Sequence, residues 1–200
     1  MRMRLALFLA LLCAALLAGC SGDSAADGGT SAQSGGNQPQ SKSAEIKGET
    51  YDAGHFSVLV PDGWLGIVVN DMWADDPSAI DPDQLNICKG ARNEADLLSN
   101  PSVHIVYYDS ATDMMRPSSD YYKDVEELEP ITAGDRTWEG ITGTSQGAPL
   151  AILWTGESGE DQFQVTVWLE MEGETISLED GDVQAILASI LPSSKHTENP

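Results

Sequence analysis

The sequence predicts an α+β domain in which helices pack on an antiparallel sheet. Several segments alternate apolar and polar residues at the two-residue period of a β-strand, as Phe56, Val58 and Val60 do. Gly-rich turns separate the later strands. A final segment from Val183 repeats apolar residues at helical spacing, and the apolar stripe of such a helix must lie against the sheet.

The first half of the domain is predicted to hold a hairpin, an acidic loop and three shorter elements. The hairpin arms are residues 55–60 and 64–69. Pro61-Asp62-Gly63 forms the turn, because proline presets the first turn angle and glycine accepts a positive φ. After the loop we expect a strand at 85–89, a short helix at 93–98 capped by Asn93, and a strand at 103–108.

The second half is predicted to contain a helix followed by three strands. Ser118 or Ser119 caps this helix, which runs to about Leu128 with Tyr121, Val125 and Leu128 on one face and is closed by Pro130. The strands that follow are expected at residues 137–144, 150–155 and 163–171.

The closing helix is the best-specified element of the sequence. Residues 177–180 form a capping box before it, and Pro192 ends it. The apolar residues that recur at helical spacing are Val183, Ile186, Leu187, Ile190 and Leu191. This stripe is expected to be buried against the sheet.

The N-terminal residues resemble the signal sequence of a bacterial lipoprotein. Arg2 and Arg4 precede an apolar stretch at 5–17 that is too short to span a bilayer, and Leu17-Ala18-Gly19-Cys20 resembles a lipobox. The resemblance implies that Cys20 carries a diacylglyceryl group and becomes the first residue of a mature protein anchored at the extracytoplasmic face of the cell membrane. The alternative is an ordinary secretory signal.

Four regions are therefore expected along the chain. Residues 1–19 are the signal peptide, 20–48 the lipidated N-terminus and flexible linker, 49–192 the domain, and 193–200 a disordered tail. The linker is rich in Ser, Gly, Ala and Gln, and its one large aliphatic side chain is Ile46. Such a composition cannot bury enough apolar surface to offset chain entropy, so we expect disorder.

The charge and the cysteines limit the partners and the chemistry. The chain has 10 Lys and Arg residues against 32 Asp and Glu residues, a net charge of −22. This argues against nucleic acid and anionic membranes as partners and favours cationic ligands or plain solubility. Cys13 leaves with the signal and Cys20 is lipidated, so Cys88 remains alone. A single thiol forms neither an internal disulfide nor a zinc site, and we expect Cys88 to be a buried apolar residue.

The domain resembles the PsbP-like fold. The resemblance rests on Phe56-x-Val58-x-Val60-Pro61-x-Gly63-Trp64, a middle helix, antiparallel strands and a closing helix with Asp182-Val183-x-x-Ile186-Leu187-x-Ser189-Ile190. It implies an α/β/α sandwich, as in photosystem accessory proteins, Ran-binding Mog proteins and bacterial lipoproteins. These motifs serve packing and turns, so the resemblance does not extend to the functions of those proteins.

One catalytic pattern occurs in the sequence. Gly143-Thr144-Ser145-Gln146-Gly147 matches the G-x-S-x-G nucleophile elbow, which needs a strand before the serine and a helix directly after it. Here a strand is predicted after it, and the base in a Ser-acid-His order would have to be His196. We interpret the segment as a hairpin turn, and His55 and His104 as surface or hydrogen-bonded core histidines.

The acidic loop at residues 70–83 is the candidate functional surface. Carboxylates in a loop are the oxygen ligands that calcium prefers, so calcium is the candidate cofactor, against the alternative of a solvated loop without metal. Met72 and Trp73 are either core plugs or a contact patch for a protein partner. The candidate calcium ligands are Asp71, Asp75, Asp76, Asp81 and Asp83.

The sequence favours a non-enzymatic surface lipoprotein with a binding or accessory role in the cell envelope. Its expected partners are the membrane, through the lipid anchor, and another envelope protein, but not nucleic acid. The alternative is an extracellular hydrolase whose site is built from residues too scattered to recognise in one sequence.

Overall fold

The computed structural model describes residues 46–157 and 159–193. The signal peptide, Cys20, most of the linker and most of the tail lie outside these ranges, so the predictions about them stay predictions. Within the described ranges, no helix has the length and apolar character needed to cross a membrane.

Thirteen β-strands and one α-helix form the described part of the chain. The first six strands are β1 (Gly48–Asp52), β2 (Phe56–Pro61), β3 (Trp64–Asn70), β4 (Ile80–Lys89), β5 (Ser102–Tyr108) and β6 (Lys123–Glu127). The next six are β7 (Ile131–Ala133), β8 (Arg136–Ser145), β9 (Ala148–Thr155), β10 (Gln162–Trp168), β11 (Glu170–Met171) and β12 (Glu174–Thr175). Helix α1 (Gly181–Ser189) and β13 (Leu191–Pro192) follow.

The main sheet has eight strands, and all its pairings are antiparallel. Seven strands follow the order β3-β4-β5-β10-β9-β8-β6, and β7 pairs with the first part of β8. The turn between β8 and β9 is Gln146 and Gly147, with φ 53° and φ 90°. Two positive φ angles match the right-handed twist of a hairpin, so the hairpin predicted here is confirmed.

The core lies between one face of the main sheet and a second layer. This layer consists of α1 and the antiparallel sheet β1-β2-β13. We call the sheet face that packs on this layer the inner face and the opposite one the outer face. Inner-face residues alternate along their strands, because successive side chains point to opposite faces. The buried inner-face residues include Leu85, Ile87, Val103, Ile105, Val165 and Val167.

The predicted fold class, α+β with an α/β/α sandwich of the PsbP-like type, is wrong. One α-helix stands against thirteen strands in the described residues, so the fold is β-rich and has no second helical layer there. The predicted helix at 93–98 is a 3-10 turn, Glu94–Leu98. Its cap is confirmed, because the Asn93 side chain accepts the Ala95 N–H at 3.0 Å. The predicted helix at 118–128 is a 3-10 turn, Ser119–Tyr121, followed by β6.

The helical spacing that predicted a helix here belongs to Tyr121, Val125 and Leu128, and the structure places these three residues in different surroundings. The pairing of β6 with β8 shifts between Lys123 and Glu126, and Asp124 has φ 51°. Tyr121 is 80% exposed, Val125 packs against the apolar cluster on the outer face, and Leu128 packs against the core on the inner face. The three residues therefore share no buried face, and their helical spacing favoured the wrong element.

The two predicted hairpin arms are strands, but they belong to different sheets. β2 pairs with β1 and β13, whereas β3 pairs with β4. Gly63 has φ 85° in the turn, and its C=O accepts the Gly90 N–H at 2.8 Å. The turn was therefore predicted correctly and the strand pairing was not.

The closing helix confirms its predicted apolar face. Val183, Ile186 and Leu187 are fully buried. The helix ends at Ser189, before the predicted position, and the exposed Leu191 lies in β13 instead.

The predicted capping box is present as a hydrogen-bonded pair, but Ser177 does not cap the helix. Its N–H and Oγ donate to the carboxylate of Asp180 at 3.0 and 2.9 Å. The N-cap is Asp180 itself, whose side chain makes no capping bond. The hydrogen bonds from the Ser177 backbone and side chain lower the pKa of Asp180.

Candidate functional site

A groove of about 780 Å³ lies on the outer face beside β3 and β4. Its floor includes Ile67 of β3 together with Gln84 and Asn86 of β4. One wall is the loop between β3 and β4, and the opposite wall is the 3-10 turn Glu94–Leu98. We call this the outer groove.

Backbone and thiol hydrogen bonds hold the two walls. The Asp71 N–H donates to the Ala79 C=O at 2.8 Å and closes the loop. On the other side the Cys88 thiol lies 3.8 Å from the Asp96 C=O in the turn. Cys88 is fully buried, as predicted, and burial raises the pKa of its thiol. Cys88 therefore acts as a structural residue beneath the groove wall.

Two large apolar side chains that line this groove are exposed to solvent, and a third exposed one directly follows a lining residue in the sequence. Met72 is 86% exposed and Trp73 is 92% exposed on the loop, and Leu98 is 80% exposed on the turn. Met72 and Trp73 line the groove, and Leu98 directly follows Leu97 in its opposite wall. The core-plug alternative for Met72 and Trp73 is therefore excluded, and a contact surface is the arrangement that fits.

Local hydrogen bonds engage most of the predicted calcium ligands. Asp71 accepts the Trp73 N–H at 2.8 Å. Asp76 accepts the Ser78 hydroxyl at 2.7 Å and the Ser78 N–H at 2.9 Å, and these bonds lower the pKa of Asp76. Carboxylates that accept backbone N–H groups two residues on stabilise turns, which explains why Asp is frequent in this loop.

The remaining predicted ligands do not assemble a metal centre in the part of the chain that the structure describes. Asp81 bonds to the Asp83 N–H and to Gln84, Asp83 bonds to His55, and Asp75 is exposed. Among the described residues, no three His, Cys, Asp or Glu side chains converge as metal ligands do. The calcium site stays a prediction.

A polar chain connects the acidic loop to the floor of the outer groove. The Gln84 Nε2 group donates to Asp81 at 2.6 Å, and the Gln84 Oε1 atom lies 3.1 Å from His104 Nε2. Burial lowers the pKa of His104, and the nearby charge of Asp81 opposes this. His104 is thus a partly buried, hydrogen-bonded histidine. Of the two predicted alternatives, a surface or a hydrogen-bonded core histidine, it fits the second better.

A second polar cluster lies at one end of the inner face. His55 Nδ1 is 2.6 Å from Asp83, and the His55 ring contacts Tyr107 edge to face at a centroid distance of 6.3 Å. The Tyr107 hydroxyl donates to Asp161 at 2.9 Å, and burial raises the pKa of Tyr107. The sequence contains no local signal for this cluster, because its members come from four separate segments.

A groove of about 610 Å³ adjoins this cluster and is lined by His55, Tyr51, Asp52 and Ile80. Ser145 lies at the other end of the sheet. It pairs with Ala148 of β9, two residues beyond Leu150, which pairs with Trp168 at the end of β10, whereas Tyr107 pairs with Phe163 at the start of β10. Ser145 and His55 therefore cannot form a nucleophile and base.

Comparisons with known proteins do not assign a family. No protein-family model and no curated protein matches the chain. A crystal structure from Bacteroides thetaiotaomicron is similar over 78% of this chain and 52% of its own, with a TM-score of 0.43 and 10% identity. The chain thus spans about half the length of that protein.

Another similar structure is LpqN of Mycobacterium tuberculosis, a protein involved in cell envelope biogenesis. The likeness covers 62% of this chain and 78% of LpqN, with a TM-score of 0.30 and 12% identity. TM-scores this low carry no argument about the fold or the function of this chain.

Proposed function

We propose that the chain is a lipid-anchored, non-enzymatic protein of the cell envelope that binds a cationic segment of a partner protein at the outer groove. The anchor is supported by the basic, apolar and Leu17-Ala18-Gly19-Cys20 segments of the N-terminus, which together resemble a lipoprotein signal. A diacylated cysteine holds a protein stably at a membrane, so the folded domain is free to serve recognition.

The observation that carries the binding role is the exposure of Met72 and Trp73 in the lining of one groove. Burial of large apolar side chains lowers the free energy of the folded state. Because these side chains stay exposed in a groove, they indicate a contact surface. Trp and Met are also the residue types enriched at protein interfaces.

The charge of the groove indicates the chemistry of the partner. Asp71, Asp81 and Glu94 line it, and the chain as a whole carries a net charge of −22. A cationic partner would be attracted over a distance and an anionic one repelled. Lys or Arg residues flanking an apolar residue complement this surface.

The positions of Ser145 and His55 do not support a hydrolase role. Ser145 is in a hairpin turn with no helix after it, and His55 lies at the other end of the sheet. The exposed apolar groove instead favours binding.

The binding role is tested with a fluorescent peptide of about ten residues that alternates Lys and Val, added to the full chain in non-ionic detergent. Replacing Met72 and Trp73 by Ala together should weaken binding at least about tenfold, since aromatic anchors dominate interface energies. Met115→Ala with Tyr121→Ala is the matched control, because both residues are similarly exposed but do not line the outer groove. Equal weakening by the two double variants, or equal binding of a Glu-Val peptide, would contradict the proposal.

The anchor is tested in cells by labelling with a fatty-acid analogue. Cys20→Ala should abolish the label, because Cys20 is the lipid acceptor that the N-terminal pattern implies. Cys88→Ala is the control and should retain the label, since Cys88 is buried in the domain. A Cys20→Ala protein that still took up the analogue would contradict the lipid anchor.

A further inference from the structure

The two edges of the main sheet differ in their protection against pairing with another strand. At one edge, β6 carries Lys123, Asp124, Glu126 and Glu127 and is interrupted by a bulge, which are features that block strand addition. At the other edge, β3 (Trp64–Asn70) has no charged residue, and its pairing with β4 is regular from Trp64 to Val68 and shifts in register only after Val68. An uncharged apolar edge strand is a template for a further strand.

Three residues of β3 direct their backbone groups toward the open side. The Lys89 N–H donates to the Pro101 C=O at 3.0 Å, so the backbone N–H and C=O of Lys89 point away from β3. Its antiparallel partner Trp64 must then direct its own N–H and C=O away from β4, and alternation extends this to Gly66 and Val68. Among the described residues, these groups make no backbone hydrogen bond to another element.

A groove of about 700 Å³ runs along this open side. Its base is Leu65 to Val68, with Tyr51 on the inner side and Asn93 to Ala95 on the outer side. The Tyr51 ring borders the base at Gly66, where a Cβ would lie at an ordinary van der Waals distance of 3.4 Å from it. The groove joins the outer groove, since Ile67, Val68 and Glu94 line both.

We propose that the cationic partner segment binds as an extended strand that pairs with β3, with hydrogen bonds to Trp64, Gly66 and Val68. This rests on the proposed function for the chemistry of the partner and adds the mode of binding. Main-chain pairing supplies affinity in such strand addition, and alternate side chains supply specificity. One set of partner side chains faces Tyr51, and the other faces the acidic outer groove at Glu94.

The charge distribution favours a cationic partner over a second copy of this chain. Pairing β3 with β3 would bring together two chains with a net charge of −22 each. Like charges opposed across an interface are destabilising, whereas a Lys-bearing strand is attracted.

The first test compares Val68→Pro with Val68→Ala in the full chain, using the Lys-Val peptide. Proline removes the outward N–H of Val68 and no hydrogen bond to β4, and proline is tolerated on edge strands where the N–H faces solvent. We expect the peptide to bind at least about tenfold more weakly to Val68→Pro than to Val68→Ala, because a backbone hydrogen bond is lost. Equal affinity for the two folded variants would overturn strand addition.

The second test needs no variant of the protein. Two Lys-Val peptides are methylated on alternate backbone nitrogens, one on the Lys residues and one on the Val residues. In an added strand every second N–H faces β3, so one peptide should bind about tenfold or more weakly and the other should bind like the parent. The amides of Gly66 and Val68 should also exchange more slowly with the parent peptide bound.

The outcomes distinguish the two proposals. Equal effects of the two methylated peptides, with binding still dependent on Trp73, would overturn strand addition and leave the binding role standing. A parent peptide that does not bind at all would overturn both.

Discussion

The two faces of the main sheet differ in what covers them. On the inner face, Leu85 and Ile105 are fully buried in one cluster with α1 and β2. The outer face is covered near β8, where Val125 packs, but beside β3 it leaves Met72 and Trp73 exposed. Buried apolar side chains therefore stabilise the inner face and the part of the outer face near β8, whereas the outer face beside β3 presents exposed apolar side chains. Substitutions on the two faces should change different measurements.

The largest expected effect compares two leucines on opposite sides of this division. Leu187 is fully buried against the inner face, whereas Leu98 is 80% exposed beside the outer groove. Leu187→Ala should lower the free energy of unfolding by about 2–5 kcal/mol, because it removes buried methyl groups and leaves a cavity. Leu98→Ala should lower it by less than about 0.5 kcal/mol. Urea denaturation of both variants measures this, and similar losses would contradict the division between the faces.

The sequence predicted elements whose signal is local. Val183, Ile186 and Leu187 recur at helical spacing and are buried in α1, and Phe163 and Val165 alternate and face the core in β10. In these segments the periodicity follows directly from the geometry of one element. One-sided burial therefore leaves a pattern that can be recognised without knowing the neighbours.

Strand pairing could not be predicted in this way. The Pro61-Asp62-Gly63 turn favours a hairpin, yet β2 and β3 pair with strands that lie before and after them in the chain. The helical spacing of Tyr121, Val125 and Leu128 predicted a helix where a bulged strand pairs with β8. Both depend on contacts between distant residues, and local propensity carries no information about them.

The candidate site was predicted in part. The sequence placed Met72 and Trp73 in an acidic loop and left a core plug and a contact patch as alternatives, and their exposure in the structure excludes the core plug. The facing wall at Glu94–Leu98 was not predicted, because its position depends on the fold of β4 and β5. The contact between His55 and Asp83 likewise joins residues with no spacing that signals a pair.

The calcium prediction concerns the acidic border of the outer face. If the loop binds calcium with a dissociation constant near 1 mM, about 10 mM calcium should raise the free energy of unfolding by RT ln(1 + 10), or about 1.4 kcal/mol. This should raise the melting temperature by about 3–6 °C. Magnesium is the control, because it needs a tight octahedral shell that a flexible loop does not offer. An equal shift with both ions, or a shift that survives Asp75, Asp76, Asp81 and Asp83 all changed to Asn, would contradict a specific site.

The pH dependence of the free energy of unfolding tests His104, which lies next to Gln84 of the outer groove floor. Burial lowers the pKa of His104 below its ordinary value of 6.5. Below pH 6.5 the unfolded chain therefore binds a proton that the folded chain does not, so stability is full above this value and declines as the pH falls toward the folded pKa.

His104→Gln removes this titration while keeping a polar neighbour for Gln84. Between about pH 7.5 and about pH 5.5 we expect the denaturation midpoint to fall less in the variant than in the unmodified chain, since carboxylates titrate mostly below this range. The effect should be smaller than that of Leu187→Ala. Parallel declines in the two proteins would show that His104 does not contribute.

The smallest expected effect is at Ser145, in the hairpin between β8 and β9. Ser145 is paired with Ala148, and the following residues take the φ angles of a two-residue turn rather than those of a helix. A catalytic serine needs a base within hydrogen-bond reach, and His55 lies at the opposite end of the sheet. Ser145→Ala should therefore change the free energy of unfolding by less than about 0.5 kcal/mol and leave binding of the Lys-Val peptide unchanged. If the unmodified chain hydrolysed an activated ester and Ser145→Ala abolished that activity, the chain would be an enzyme and the binding proposal would need a different surface.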